Sequence, residues 1–287
     1  MKVLSSCKEA ITHCIEHKYF AIAHLYKEET AMNMHIHDCL EIYYSISGGK
    51  QFLIGNKFYG IAPGDIFVIN QYESHHLTQI DTEIHERIVL SISPEYLKQL
   101  SSVQTDLSCC FHTHSDAFSH RLSLNKEQQQ RFLYFINKIT SIQGYGEDLL
   151  QRAAFIELMI FLNSAYLENT QCLSVEDLSP KYNKQVDDIL AYINRHIHET
   201  ITTKKLSQQF FLSDSYICRV FKSTTGMTIN KYLTARRISI AKALLADGLS
   251  VNEVCECCGY NDYSNFVKTF TKIVGISPKK YAQLSVC

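Results

Sequence analysis

The chain has 287 residues, of which 46% are apolar and 20% charged, a composition typical of globular proteins and a length that favours two domains. No apolar run approaches the roughly 20 residues that a membrane-spanning helix needs, and the first residues lack the apolar core and cleavage site of a signal peptide. We therefore expect a cytoplasmic protein. Its eleven cysteines should be free thiols, because that compartment is reducing and an odd number cannot all pair within one chain.

The net charge of −1 conceals an uneven distribution along the chain. Residues 184–287 carry 14 Lys and Arg against 8 Asp and Glu, whereas residues 1–183 carry 14 against 21. A basic C-terminal third beside an acidic body indicates a nucleic-acid contact at one end. The alternative is an ordinary solvated surface, since a net charge of +6 over 104 residues is modest.

Residues 19–92 have the pattern of β structure. Short apolar runs such as "EIYYSIS" and "IFVIN" are separated by turn signals such as "SGGK" and "APGD". Many short strands at regular spacing predict a sandwich or barrel, which we place at residues 1–124.

One of these runs combines imidazoles with a carboxylate. Alternation along a strand places His35, His37 and Glu41 on one face. Imidazole and carboxylate ligands suit Zn, Fe, Mn or Ni, so this face is a candidate metal or effector site.

The segments "HIHDCLEIYYSISG" and "APGDIFVINQYESHH" resemble the two cupin motifs. The resemblance implies a small β-barrel in which His35, His37, Glu41 and His75 meet and can bind a divalent metal. The second motif departs from the family pattern, because Gln71 replaces the usual proline and the spacing to His75 is looser.

Three interpretations of this set remain open. The four residues hold a divalent metal, or they line a pocket for a small effector together with Tyr43, or they fill the barrel as structural side chains. The effector pocket is the leading hypothesis, and no cofactor is expected beyond the metal alternative.

The pattern changes to helical after Asn125, where apolar residues recur at three- and four-residue steps. This pattern predicts a pair of helices over residues 125–168, and the pair is a candidate dimerisation element. Phe132, Phe135 and Leu158 are candidate contacts, with packing in the core as the alternative for each.

The segments before and after this helical pair are expected to connect neighbouring structural elements. Residues 108–120, "SCCFHTHSDAFSH", contain cysteines and histidines whose spacing matches no tetrahedral zinc pattern, and we expect a connector packed on the barrel. Residues 169–183 are polar, contain Pro180 and predict a linker.

Residues 184–287 predict about seven short helices. Gly226, Gly248, Gly259 and Gly275 stand where helices end. The residues that stand where the next helices begin are Ser213, Thr228, Ser250 and Asp262.

The same region contains an imperfect internal repeat, with units at residues 203–225 and 250–274. Each unit has a short helix, a tight turn and a longer second helix, which is the helix-turn-helix plan. The alignment pairs Phe221 with Phe270, Gly226 with Gly275, and Tyr232 with Tyr281. Two such units about one DNA turn apart, on the order of 34 Å, can enter successive major grooves.

The repeat resembles the DNA-binding region of the AraC/XylS family of bacterial transcription activators over about residues 184–284. The residues that carry the resemblance at fixed spacing are Leu212, Ser213, Arg219, Phe221, Lys222, Gly226, Tyr232, Leu233, Arg236, Ala241, Leu244, Leu245, Gly259, Tyr260, Phe266, Phe270, Gly275, Pro278 and Tyr281. The departures are mild: Phe211 stands where a small residue is common, and Ser207 and Cys255 replace the alanine usual in the first helix of each unit.

Helix geometry and the resemblance point to the same DNA-contacting positions. Base contacts are expected from Ser215, Arg219, Ser264, Asn265 and Lys268. Phosphate or other DNA contacts are expected from Asp214, Tyr216, Lys222, Thr225, Lys231, Arg236, Arg237, Tyr263 and Lys272. The alternative is that these are ordinary solvated helix residues.

The cysteine-rich stretch "VCECCGY" lies inside the second unit. Cys255 aligns with Ser207, and Cys258 falls on the same helix face. We expect both to be buried because the helices of a unit press together there, and we expect Cys257 to be exposed.

The sequence as a whole predicts an α+β protein of two domains: a cupin-like β-barrel with a helical extension and an all-α tandem helix-turn-helix domain. The predicted function is that of a transcription regulator, specifically an activator, controlled by a small effector such as a sugar. The expected partners are double-stranded promoter DNA, the effector, RNA polymerase and a second copy of the chain, with no membrane. The rival hypotheses are a metal- or redox-responsive regulator and a metal-dependent cupin enzyme.

Overall fold

The computed structural model describes residues 3–27, 35–79, 84–111, 119–170 and 184–285. We call residues 3–170 the N-terminal half and residues 184–285 the C-terminal half. The strands of the N-terminal half are β1 Phe20–Lys27, β2 Leu40–Ser47, β3 Gln51–Ile54, β4 Lys57–Gly60, β5 Asp65–Ile69, β6 His75–Gln79, β7 His85–Ile92 and β8 Arg121–Ser123. Its helices are α1 Cys7–His17, α2 Pro94–Leu100, α3 Lys126–Ser141 and α4 Glu147–Thr170.

The strands form two antiparallel sheets, one with the order β1-β7-β2-β5-β8 and one with the order β4-β3-β6. Successive residues of β2 belong to different cores. Ile42 and Tyr44 pack in a core shared with α3 and α4, whereas Tyr43 packs with residues of both sheets. Both faces of the larger sheet are covered, so its strands are apolar at consecutive positions. The structure confirms the barrel-like arrangement that the sequence predicts.

Helices α3 and α4 complete the outer core of the larger sheet. Phe132, Phe135 and Leu158 are at most 5% exposed there, so they form core and are not available as dimer contacts. Asn163 of α4 fixes the start of the connector before β8, because its side chain accepts from the Cys110 N–H at 2.7 Å and donates to the Leu107 carbonyl at 2.8 Å. The middle of that connector and most of the predicted linker lie outside the described residues.

The C-terminal half contains seven helices within its described residues, as predicted. They are α5 Lys184–Arg195, α6 Thr203–Phe210, α7 Asp214–Thr225, α8 Ile229–Ala246, α9 Val251–Cys257, α10 Tyr263–Val274 and α11 Pro278–Ser285. All four predicted N-caps are confirmed, since each side-chain oxygen accepts a backbone N–H of the first helical turn. Gly226 and Gly275 end α7 and α10 with φ values of 76° and 88°, which favour glycine.

The two repeat units have matching interiors. In the first unit the ring of Phe221 lies edge-on to Tyr232, with centroids 5.7 Å apart. In the second unit Phe270 lies edge-on to Tyr281 at 5.6 Å. The structure therefore confirms the repeat alignment in detail.

The cysteine prediction in the second unit is also confirmed. Cys255 is 5% exposed and Cys258 fully buried, whereas Cys257 is exposed. The thiols of Cys255 and Cys258 pack in the apolar cluster of the second unit.

The C-terminal half packs on the outer face of the three-stranded sheet. Leu53 and Phe58 of that sheet belong to the same apolar cluster as the first repeat unit. Two hydrogen bonds flank this cluster: His76 contacts the Thr225 carbonyl at 2.5 Å, and the Tyr232 hydroxyl donates to the Gly55 carbonyl at 3.0 Å.

Among the described helices, none combines the length and apolar character that crossing a bilayer requires.

Candidate DNA-binding surface and effector site

Helix α7 is amphipathic in the sense expected of a recognition helix. Ile217 and Phe221 are fully buried, whereas Ser215 and Arg219 are exposed on the opposite side. The Arg219 guanidinium lies 5.6 Å from the centre of the Tyr216 ring, a cation–π distance that holds the side chain along the helix surface. Arg219 is therefore available for a contact with a base edge.

Helix α10 repeats this arrangement with different side chains. Phe266 and Phe270 are fully buried, and the exposed side presents Ser264, Asn265 and Lys268. The helix begins at the Asp262 cap, whose carboxylate accepts the Asn265 N–H at 2.5 Å. The residues predicted to contact bases in the second unit thus lie in the first two turns, where a recognition helix meets base edges.

The other predicted DNA contacts differ in accessibility. The exposed ones are Asp214, Lys222, Lys231, Tyr263 and Lys272. Tyr216 is half-buried, and its hydroxyl donates to the Gln185 side chain at 3.2 Å. Thr225 is fully buried and its hydroxyl donates to the Phe221 carbonyl at 2.8 Å, so its side chain is not available to a phosphate in this arrangement.

The two predicted arginines of α8 make contacts inside the C-terminal half. Arg236 donates to the Asn194 side chain at 2.9 Å. Arg237 donates to the carbonyls of Ile197 and Glu199 at 3.0 and 2.6 Å, and burial lowers the pKa of its guanidinium. Arg236 thus connects α8 to α5, and Arg237 connects α8 to the loop after α5, so any phosphate contact by them would be additional to this role.

The histidines and the glutamate singled out in the N-terminal half converge. His37 Nε2 lies 3.0 Å from one oxygen of Glu41, and His75 Nε2 lies 3.7 Å from the other. The His35 ring is 4.1 Å from that of His75, centroid to centroid. His37, Glu41 and His75 are at most 4% exposed, and His35 is half-buried.

Backbone carbonyls orient two of these rings. His37 Nδ1 donates to the Cys39 carbonyl at 2.9 Å, and His75 Nδ1 donates to the Glu73 carbonyl at 3.0 Å. A carbonyl can only accept, so each Nδ1 carries a proton and each Nε2 is directed at Glu41. Proteins fix histidine ligands of metals in the same way.

The charges of the set are strongly coupled. Burial alone would raise the pKa of Glu41, but His75, His37 and His35 lower it to about 2. Burial opposes charge on His37 too, yet Cys39 and Glu41 raise its pKa well above the usual value. Burial and the neighbouring histidines lower the pKa of His75 well below the usual value. The directions for Glu41 and His37 agree in favouring an ionised carboxylate paired with a protonated imidazole.

This donor set fits a divalent transition metal. One ligand atom from each of His35, His37, Glu41 and His75 lies within 4.8 Å of the others. The buried Nε2 of His75 has no hydrogen-bond partner among the described residues. A cation would use that lone pair and would replace the proton on His37, so three imidazoles and one carboxylate could complete a tetrahedral site.

Tyr43, predicted to line the same pocket, lies deeper in the barrel. It is 1% exposed, and its hydroxyl lies 2.5 Å from His85 Nε2. Its ring packs against Phe52 and Phe67 at centroid distances of 5.1 and 5.9 Å. A role for Tyr43 in effector binding stays a prediction.

Sequence reasoning missed a contact between the two halves. The Lys242 ammonium of α8 pairs with Asp38, and the Tyr281 hydroxyl donates to the other oxygen of Asp38 at 3.0 Å. We call this group the Asp38 contact. A local signal existed on one side, because Lys242 stands on a stripe with Ile238 and Leu245 that is at most 7% exposed, and a buried lysine requires a partner.

Comparison with known proteins agrees with this architecture. The family model described as an AraC-like ligand binding domain matches residues 17–157, and a helix-turn-helix domain model matches residues 206–283. The probable transcriptional regulator LumQ of Photobacterium leiognathi is 24% identical over 86% of this chain and 90% of its own length. The melibiose operon regulatory protein of Escherichia coli is 23% identical over 88% of this chain and 83% of its length.

A third relative is the HTH-type transcriptional activator RhaR of Salmonella dublin, which is 24% identical over 88% of this chain and 87% of its own length. These relatives match across both halves, and the two family models together account for the sheet domain and for both repeat units. The chain belongs to the AraC/XylS family of DNA-binding transcription regulators.

Proposed function

We propose that the chain is a transcription activator that contacts two successive major grooves of a promoter with α7 and α10 when a small ligand occupies its N-terminal half. The observation that carries the proposal is the pair of matching recognition helices, each with a buried face that contains a phenylalanine and an exposed polar face. The RhaR relative is named as a transcriptional activator, which supports activation. We infer a regulator acting in the cytoplasm, where it would meet RNA polymerase, and no enzymatic activity.

The proposed division of labour on DNA follows from accessibility. Arg219 and Asn265 are exposed and can each make a bidentate contact, arginine with guanine and asparagine with adenine. Lys222, Lys231 and Lys272 are exposed cations suited to phosphates. We therefore assign sequence specificity to Arg219 and Asn265, and general affinity for DNA to the three lysines.

The test is selection of DNA from a random library by the full chain, followed by footprinting. We expect a selected sequence with two protected segments whose centres are about 10 base pairs apart on one face of the duplex. Binding without sequence preference, or a single protected segment, would contradict the proposal.

The ligand is proposed to bind at His35, His37, Glu41 and His75. Three of these polar side chains are buried together, and His75 Nε2 has no hydrogen-bond partner among the described residues, which is typical of ligand sites rather than of filled cores. A thermal-shift screen of sugars, polar metabolites and metal ions, with and without chelator, tests this assignment, because a ligand of the native state raises its melting temperature. His75→Ala should abolish the shift produced by the true ligand.

We also propose that the chain forms a homodimer through the exposed side of α3 and α4. Leu149, Ile160 and Leu167 recur at eleven- and seven-residue steps on one side of α4 and are 66%, 47% and 49% exposed, so they form an apolar stripe and not an isolated residue. Ile160→Glu should shift the protein towards monomer in size-exclusion chromatography with light scattering. Ile15→Glu on α1, where the side chain is 46% exposed, is the matched control and should leave the dimer intact. Equal effects of the two variants would contradict this interface.

A further inference from the structure

The segment from His35 to Glu41 serves two sites at once. Its histidines and Glu41 form the ligand set, while Asp38, between them in sequence, reaches across to the C-terminal half. Any ligand that moves these histidines therefore acts directly on a residue that links the two halves.

The Asp38 contact is a strong local link. The Lys242 side chain is 8% exposed, and its ammonium lies 5.5 and 5.6 Å from the ring centres of Tyr72 and Tyr281. Asp38 is the carboxylate that balances this buried charge. Removing one member of such a pair leaves the other charge uncompensated, so Asp38 holds Lys242 and Tyr281 against the N-terminal half as long as it stays in place.

The backbone connects the ligand set rigidly to this contact. The His37 carbonyl accepts the Tyr72 N–H at 3.0 Å, and the Tyr72 carbonyl accepts the hydroxyl of Ser239 from α8. His35 and His75 exchange two backbone hydrogen bonds of 3.2 Å. A shift of the ligand rings is thus transmitted to α8 through Tyr72 as well as through Asp38.

We call the structure with the Asp38 contact formed the closed arrangement. In it the segment from His35 to Glu41 lies beside the DNA-contacting side of α10. His35 and Ile36 line a cleft of about 830 Å³ together with Asn265, Lys268 and Lys272 of α10. Duplex DNA that reaches these α10 side chains would compete with the segment for this space. The closed arrangement is therefore the form with lower DNA affinity.

A bound metal would contract the ligand set. Ligands at about 2.1 Å from a tetrahedral ion are about 3.4 Å from one another, whereas the ligand atoms now spread over as much as 4.8 Å. Half-buried His35 has most freedom to move, and Glu41 must close its 3.7 Å gap to His75 Nε2, so contraction acts on both ends of the segment that contains Asp38. Contraction would draw the segment towards the barrel and away from α10.

We infer that a divalent transition-metal ion bound by His35, His37, Glu41 and His75 breaks the Asp38 contact and so raises the affinity of the protein for its promoter. The inference rests on the proposed function and names both the ligand class of that site and the route by which it acts. The metal changes a binding equilibrium, and Asp38 is the positioning residue that couples the two sites.

The test uses the full chain, freed of metal by chelator, and its selected DNA. Zn²⁺, Ni²⁺ and Mn²⁺ are added singly, with Mg²⁺ as a control because it prefers oxygen ligands to imidazole. We expect one ion per chain by elemental analysis and DNA affinity raised between about 5- and 150-fold, the usual range of allosteric coupling. Stoichiometric binding without a change in DNA affinity, or a decrease in affinity, would overturn the inference.

Variants separate the steps. His75→Ala and the less buried His35→Ala should both lose the ion and the response, and the second covers the case in which the first does not fold. Asp38→Asn should still bind one ion yet show high DNA affinity with or without it, whereas Glu95→Gln, on an exposed pair with Lys18, should behave as wild type.

An Asp38→Asn protein that still responds to metal would refute the route through Asp38. If metal-free wild type selects a specific DNA sequence but ignores every ion, this inference fails and the proposed function stands. If no sequence is selected under any condition, the proposed function itself fails.

Discussion

Replacing Arg219 with alanine should weaken specific DNA binding at one base pair and leave the fold intact. Arg219 is exposed on α7, and its removal opens no cavity. A bidentate arginine–guanine contact is worth about 1–3 kcal/mol of discrimination. In the free protein the guanidinium lies over the Tyr216 ring at 5.6 Å, and leaving an exposed cation–π contact costs about 0.5–1 kcal/mol. The net loss should therefore be about 1–2 kcal/mol, or about 5- to 30-fold in dissociation constant.

The matched control is Lys222→Ala, one turn later on the same helix and also exposed. Lysine is expected to contact phosphate, which positions the protein without specifying sequence. Its loss should weaken binding to all sequences about equally and reduce the slope of log affinity against log salt by about one.

The assay is fluorescence anisotropy with the selected DNA and with single base-pair variants, over a series of salt concentrations. Arg219→Ala should bind wild-type DNA and one particular variant with the same affinity, because the discriminating contact is gone. Thermal unfolding should match wild type. The assignment of base and phosphate contacts on α7 would be wrong if Arg219→Ala still discriminated between bases at every position. It would also be wrong if Lys222→Ala lost base discrimination at one position.

Further predictions concern packing, thiol chemistry and the link between the halves. Phe270→Ala should lower the free energy of unfolding by about 3–5 kcal/mol, measured by urea titration, because the ring is fully buried against Tyr281; a loss below 1 kcal/mol would contradict the packing. At pH 8, iodoacetamide should label Cys257 and spare Cys258 in peptide mapping, since burial raises the pKa of the Cys258 thiol to about 12 and excludes the reagent; equal labelling would show that the second unit is open. Tyr281→Phe should raise the DNA affinity of the full chain more than Tyr232→Phe does. Tyr281→Phe removes a hydrogen bond to the Asp38 carboxylate, whereas Tyr232→Phe removes a weaker one to the Gly55 carbonyl. A larger effect of Tyr232→Phe would refute this ranking.

The C-terminal half was predictable because its signals are local. Ser250 and Glu253 stand three residues apart and form the capping box that this spacing indicates. The buried stripes of α7 and α10 recur at helical steps, so even the exposure of individual cysteines beside them followed from periodicity. Helix ends and faces depend on neighbours within one or two turns, and the sequence contains those neighbours.

The N-terminal half was predictable only in part, because sheets are built from distant pairings. The strand pattern was visible, but the order β1-β7-β2-β5-β8 depends on contacts between strands far apart in the chain. The burial of Tyr43 among aromatic rings also escaped prediction, since alternation gives the face of a strand and not what covers it. Helix α1 had no strong signal of its own and packs on β1.

Local pattern indicated only one side of the contact between the halves, at the buried Lys242, and did not identify its partner. Tyr281 and Asp38 are 243 positions apart, and neither belongs to a motif that anticipates the other. The resemblance that identified Tyr281 as a repeat position explained its packing against Phe270 and was silent on its hydroxyl. Tertiary partners of this kind are visible only once both domains are placed.

The repeat gives this contact an internal symmetry. Tyr232 and Tyr281 hold the same position in the two units, and each donates its hydroxyl to the N-terminal half, Tyr232 to the Gly55 carbonyl and Tyr281 to the Asp38 carboxylate, both at 3.0 Å. The hydrogen bond of Tyr232 is between neutral groups and is embedded in an apolar cluster. The hydrogen bond of Tyr281 depends on charged Asp38, which lies beside the ligand set. An effector that displaces Asp38 should therefore free the second unit while the first remains docked, so that α10 gains access to DNA before α7 does.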